Sequence, residues 1–309
     1  MTQYKYSFTR YLAAKKSVDN RAINRHVRQV LLESLPQTSA NKPLSVFEMG
    51  AGIGTMIERM LEWDLFRYAD YTAIDTQTEN IQHAQRRLLA WATQHGYHAA
   101  ERTDGLTIGG ESIEVNAKLI DVDLFDFIAD QQSFGTYDLL VAHAFLDLVD
   151  IPDTLPQIFN IGQKESLFYF TINYDGVAIL EPIVDQDFDH HVLKLYHRTM
   201  NERIRDGKRF GDSRTGRHLF EHIQNAGGQI LVAGSSDWFV FPGSGGYPQD
   251  EAYFLHFIIH TIYQALKKHP KLDSAQFEEW IRQRHTQIER QELIYIAHQL
   301  DYVGTTQRN

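Results

Sequence analysis

The chain has 309 residues, 43% hydrophobic and 23% charged, which is enough for one large or two small globular domains with an ample core and too apolar for a disordered chain. Its net charge of −10, with 30 Lys and Arg scattered among 40 Asp and Glu, excludes the basic footprint that a nucleic-acid partner needs and favours a small-molecule ligand. With no Cys, disulfides and thiolate chemistry are excluded; the opening MTQYKYSFTR lacks a signal-peptide core and no apolar run approaches ~18 residues, so the expected setting is cytoplasmic with no membrane span.

The first periodic segment, SVDNRAINRHVRQVLLESLP, predicts one helix capped by Asp19 or Asn20 and ending before Pro36. Ile23, Val27, Val30 and Leu31 form its apolar face, and Arg21, Asn24, Arg25 and Arg28 its polar one. Leu44, Val46 and Phe47 then read as a short buried strand. Gly50, Gly52 and Gly54 make a turn in which the backbone takes positive φ, and Thr55 to Trp63 continues as a helix. A strand, a glycine turn and a helix open a βαβ unit whose bare backbone faces a nucleotide-like ligand. The spacing is not that of a dinucleotide site. Counted from Gly50, the last small residue of that fingerprint falls on Thr55, whereas the third glycine here is Gly54. Glu48 would also repel a pyrophosphate and attract an ammonium or sulfonium.

A second strand, Asp70 to Ile74, ends at Asp75, about 20 residues past the glycines, where an acid accepts both ribose hydroxyls of an adenosine. A helix over Thr78 to His95 stops at Gly96, Tyr97 to Gly110 reads as a loop or small hairpin, and Ser112 to Ile120 alternates as a strand running into DVDLF at Asp121 to Phe125. Tyr137 to Ala142 is a fourth strand. His143 and Phe145 follow at its carboxyl end, the side on which open α/β sheets bind ligands. Ile151 to Ile161 reads as a helix and Glu165 to Asn173 as a fifth strand. Beyond it lie a long mixed stretch, Tyr174 to Lys208, and a helix, His218 to Asn225. Gln229 to Phe241 is a sixth strand, broken around Ser235 to Trp238. Two helices follow, Glu251 to Lys268 and Ser274 to Gln291, before the alternating ELIYIAHQLDYV, a seventh strand over Glu292 to Tyr302. His256 and His260, and His190 and His191 near Asp185 to Asp189, have no third ligand at a metal-binding spacing, so no metal is predicted.

Taken together, E-x-G-x-G-x-G from Glu48 to Gly54, Asp75 after the second strand and D-L-F from Asp123 after the third resemble the class I S-adenosylmethionine-dependent methyltransferases. The resemblance spans about Leu44 to Asn173; beyond it only the strand count agrees. It implies an α/β fold with a Rossmann-like seven-stranded sheet ordered 3-2-1-4-5-7-6, the last strand antiparallel, and helices on both faces. The expected organisation is a single domain over 1–309, with an N-terminal helical segment at 1–43, an insertion at 174–208 and a helical insertion at 243–291.

The implied activity is methyl transfer from S-adenosylmethionine to a small-molecule acceptor. An NAD-dependent oxidoreductase and a non-catalytic S-adenosylmethionine-binding protein are the alternatives. The cofactor would be held by Glu48, Gly50, Ala51, Gly52, Gly54, Asp75, Thr76 and Leu124, with Asp123 (or Asp121) at the adenine amino group and Arg21 at the carboxylate. His143 would adjoin it and is the first choice for a general base, since its unperturbed pKa suits neutral pH. The first insertion would wall the acceptor pocket with Tyr174, His190, His191, Tyr196 and His197. The second would either join that wall or pack a second copy of the chain, as a homodimer, through Tyr253, Phe254, Phe257 and Ile258.

Overall fold

The computed structural model of the protein describes residues 5–130, 134–205 and 208–307. In chain order its elements are α1 (Phe8–Ala22), α2 (Arg25–Ser34), β1 (Leu44–Met49), α3 (Thr55–Glu62), β2 (Tyr68–Asp75), α4 (Thr78–Gln94), β3 (His98–Arg102), β4 (Gly105–Gly110), β5 (Ile113–Asp121), α5 (Leu124–Ala129), β6 (Tyr137–His143), α6 (Ile151–Ile161) and β7 (Gly162–Glu181). The second half adds α7 (Gln186–Asn201), β8 (Ile204–Arg205), β9 (Lys208–Arg209), α8 (Thr215–Asn225), β10 (Gly228–Ser235), β11 (Trp238–Val240), α9 (Glu251–Leu266), α10 (Ser274–Glu289) and β12 (Ile294–Thr306).

The main sheet runs β10-β12-β7-β6-β1-β2-β5-β4-β3, with β11 also on β12. The strands β5, β2, β1, β6 and β7 are mutually parallel, and β12 is antiparallel to both β7 and β10. Counting only the long strands, this is the order 3-2-1-4-5-7-6 with the last strand reversed. The central parallel strands are covered on both faces, and Val46, Phe47 and Leu139 to Ala142 are wholly buried, whereas β5, nearer the edge, alternates and leaves Glu114 and Lys118 exposed. One core layer packs α1 to α4, α9 and α10 on the sheet, and the other packs α5, α6 and α8.

Of the loop and the small hairpin expected for Tyr97 to Gly110, the chain forms the hairpin, β3–β4, which extends the sheet beyond β5. Three expectations are corrected. The fifth strand does not end at Asn173 but continues to Glu181, because β12 pairs with it along that length; between Phe170 and Asn173 two residues of β7, Thr171 and Ile172, oppose the single Asp301 of β12, and Ile172 takes φ +58°. The sixth strand is two, β10 and β11, parted at Ser236 and Asp237 and both held by β12. The N-terminal helix is also two. Ser7 caps α1, and the Asn24 side chain caps α2 by accepting from the amides of His26 and Val27. Asp19 and Asn20 therefore belong to the end of α1.

The aromatic face of α9 is covered by the chain's own N-terminus. Tyr11 stacks on Phe257 with ring centroids 4.2 Å apart and on Phe254 at 5.7 Å, and the Ser7 amide donates to the Tyr253 hydroxyl at 2.6 Å. Those side chains thus pack within the chain against α1. Among the described residues, no helix is long and apolar enough to cross a membrane.

Candidate functional site

The turn after β1 is built on left-handed backbone, with φ of +65° at Gly50, +56° at Gly52 and +76° at Gly54. A Cβ on Gly50 would lie 2.3 Å from the Phe145 ring, so glycine is required there for space as well as for φ. Gly54 is the N-cap of α3. The turn opens into a cleft of about 770 Å³ at the carboxyl ends of the parallel strands. Glu48, Gly50, Ala51, Gly52, Asp75, Thr76, Asp123, Leu124 and His143 all line it; Gly54 and Arg21 do not.

Glu48 is 1% exposed and accepts from the Tyr71 hydroxyl at 2.8 Å. Burial pushes its carboxyl up to about 8, against the opposing Tyr71 hydrogen bond and Arg59 charge. Asp75 at the end of β2 accepts from the Gly52 amide at 2.9 Å through Oδ2, and from the Gln77 amide at 2.9 Å and the Asn80 side chain at 3.0 Å through Oδ1. A carboxylate has about four acceptor positions, so one remains beside the glycine turn. Asp123 caps α5 by accepting from the Phe125 amide at 2.8 Å. Asp121 accepts from the Thr78 hydroxyl and lies outside the cleft.

At the other side of the turn α1 contributes a buried charge cluster. Asp19 Oδ2 accepts from Lys15 Nζ at 2.7 Å, His143 Nε2 at 2.9 Å and the Arg59 guanidinium at 3.3 Å, and Oδ1 accepts from the Trp238 indole at 2.9 Å. Burial alone would raise the Asp19 carboxyl, yet Lys15, His143 and Arg59 hold it well below the usual carboxylate range. Because that carboxylate only accepts, His143 Nε2 carries the proton, and Nδ1 accepts from the Thr171 hydroxyl at 2.8 Å.

This corrects the reading of His143 as a base. Burial, with Lys15 at 3.5 Å and Arg59 at 3.4 Å, pushes its pKa down to about 3, and both ring nitrogens are already hydrogen-bonded. A third positive charge beside those two cations is disfavoured, so the ring is a neutral part of the cleft wall.

Arg21 is corrected as well. Its guanidinium donates to both carboxylate oxygens of the fully buried Glu251 at 2.5 and 2.8 Å. The α1 cation that does line the cleft is Lys15. Its signal was the i, i+4 spacing of Lys15 and Asp19, on a helix face shared with the apolar Leu12, Ala14 and Val18, which marks an internal ion pair.

Away from the glycine turn the cleft is lined by Tyr11, Asp147, Tyr174, Tyr196, Arg203, Tyr295 and Gln299. The Tyr174 hydroxyl bonds His197 Nε2 at 2.6 Å. His190 is exposed on α7, and His191 bonds the Lys271 carbonyl at 3.1 Å, so neither reaches the cleft. From 243–291 only Ile258 contributes to the lining. His256 bonds His285 at 2.8 Å between Nδ1 atoms, His260 stacks on Tyr6 at 3.8 Å, and among the described residues no three His, Cys, Asp or Glu are grouped to hold a metal.

By its strand order and by the position of this cleft, the protein has the Rossmann-like α/β fold expected of a class I methyltransferase sheet. No protein-family model matches the chain, and no curated protein does. Among solved structures it is similar to a Haloferax volcanii protein described as a methyltransferase and solved with the Trm112 methyltransferase activator, at 13% identity and a TM-score of 0.46 over 98% of this chain and 96% of that one. It is similar to Haemonchus contortus phosphoethanolamine N-methyltransferase 2, solved with phosphomonomethylethanolamine and S-adenosylhomocysteine, at 9% identity and a TM-score of 0.44, over 99% of this chain and 59% of that one. A third is a S-adenosylmethionine-dependent methyltransferase from Methanosarcina mazei, at 10% identity and a TM-score of 0.43 over 91% and 98%.

Proposed function

We propose that this chain is a S-adenosylmethionine-dependent methyltransferase acting on a small-molecule acceptor. The observation that carries the reading is the gathering of a buried Glu48, a left-handed glycine turn, Asp75 and Asp123 around one cleft at the carboxyl ends of parallel strands. The residues fit the cofactor. Ribose hydroxyls meet the remaining acceptor position of Asp75, the adenine edge meets Asp123 and the Leu124 amide, and the positive charge of the ligand meets Glu48. Lys15 and Arg59 outnumber Asp19 by one charge, which suits the cofactor's carboxylate. A dinucleotide would instead set its pyrophosphate against Glu48.

When bound, S-adenosylmethionine supplies a methyl group already made electrophilic by its sulfonium sulfur. What remains for the protein is to hold the acceptor in line and exclude water. Glu48 ionises against the incoming positive charge. The neutral His143 and the ring of Phe145 form the wall between the glycine turn and the tyrosine-lined end, and His143 moves no proton.

Calorimetry with S-adenosylmethionine and S-adenosylhomocysteine, followed by transfer of a labelled methyl group, tests this. Asp75→Ala should weaken binding of both about tenfold to hundredfold, through loss of a charged acceptor worth ~1.5 to 3 kcal/mol. Undetectable binding by the unaltered chain, or unchanged affinity in the variant, overturns the assignment.

A further inference from the structure

At the tyrosine-lined end of the cleft, two opposite charges are left without ion partners. Asp147, in the turn after β6, and Arg203, just past α7, both line the cleft; neither makes an ion pair with any described residue, and the Asp147 carboxylate is held only by its own backbone amide. They lie within electrostatic reach of one another: burial raises the Asp147 carboxyl and the Arg203 charge opposes that rise. A carboxylate and a guanidinium that share a partly dry cleft without pairing are costly unless a ligand satisfies both.

Gln299 adds an independent pointer. It is 1% exposed and lines the same cleft, yet both its amide oxygen and its amide nitrogen lack a hydrogen-bond partner. An amide buried in that state awaits a donor and an acceptor on one ligand. The hydroxyls of Tyr11, Tyr196 and Tyr295 likewise have no hydrogen-bond partner among the described residues, and the rings of Tyr196 and Tyr295 supply π faces that attract an organic cation.

We propose, resting on the methyl-transfer reading, that the acceptor is a small zwitterion of the amino-acid type. Its ammonium faces Asp147 among Tyr11, Tyr196 and Tyr295, its carboxylate faces Arg203, and Gln299 bonds its remaining polar groups. A purely anionic acceptor would be repelled by Asp147, and a purely cationic one by Arg203. An apolar acceptor would leave Asp147, Arg203 and Gln299 all unsatisfied.

The test is calorimetry on the full chain with the standard amino acids and their N-methyl derivatives, each beside its decarboxylated amine and its deaminated acid. Every titration is run with and without S-adenosylhomocysteine, so that a missing cofactor response counts against methyl transfer alone. At least one amino acid should bind about tenfold or more tightly than both of its singly charged partners, the size of one charge-assisted contact. For that ligand, Arg203→Gln should close the gap to the amine and Asp147→Asn the gap to the acid, with S-adenosylhomocysteine affinity held within a few fold. If no amino acid outbinds both partners, or if neither substitution narrows its gap, the assignment of a zwitterion is overturned.

Discussion

Replacing Glu48 with Gln removes an ionisable group from the floor of the cleft while keeping an acceptor for the Tyr71 hydroxyl. In the folded chain, burial keeps the proton on Glu48 up to about pH 8, whereas the unfolded chain loses it near the ordinary value of 4.5. Between those two values the folded state binds more protons, so the stability that Glu48 contributes is fully present below about pH 4.5 and is lost as pH rises through 8. At about 1.4 kcal/mol per pH unit, the whole interval corresponds to ~5 kcal/mol. Urea unfolding of the ligand-free chain and of Glu48→Gln should therefore coincide near pH 5 and diverge upward, the variant gaining several kcal/mol by about pH 8.

The same proton governs the ligand. A cation over the glycine turn favours the ionised carboxylate, so S-adenosylmethionine affinity should rise with pH, by up to about tenfold per unit below pH 8. In Glu48→Gln the affinity should be lower and flat. Parallel pH profiles for the two proteins, in unfolding or in binding, would refute both the buried protonated state and the contact with the ligand's charge.

Three further outcomes are expected. Gly50→Ala forces a left-handed side chain against Phe145 and should cost about 2 to 4 kcal/mol in denaturant unfolding, with cofactor binding lost at least in proportion. Arg21→Ala should leave cofactor affinity unchanged but strand the buried Glu251 carboxylate, lowering stability by about 1 to 3 kcal/mol, discounted because Arg21 is half exposed. His143→Ala should lower the unfolding midpoint by undoing its bonds to Asp19 and Thr171, and turnover in the unaltered chain should show no inflection near pH 6.5 that the variant lacks. Such an inflection would restore His143 as the base.

Much of the frame was legible locally. Glycines at positions 50, 52 and 54 demand a turn whatever surrounds them, and Asp75, the last residue of the second strand, sits at that strand's carboxyl end. The fourth strand announced itself through the apolar run Leu139 to Ala142, and the alternation from Ile294 to Leu300 marked a strand with one half-exposed face. These features depend on neighbours a few residues away, and the backbone obeys them directly.

What tertiary structure decided was which charges meet. Arg21 and Lys15 lie on one helix, and only the packing of α1 against α9 turns Arg21 to Glu251 and Lys15 to the cleft. The break that ends α1 is held by Asp301, whose carboxylate accepts from the Asn24 amide across 277 residues of sequence and from the Ile172 amide at the bulge of β7. His143 was placed correctly at the end of its strand, but its protonation depends on Asp19, Lys15 and Arg59, which reach it from α1 and α3. Periodicity and turn chemistry set where the backbone goes. The ionisation of a buried group is set by the dielectric and the charges around it, and those are assembled from distant parts of the chain only when it folds.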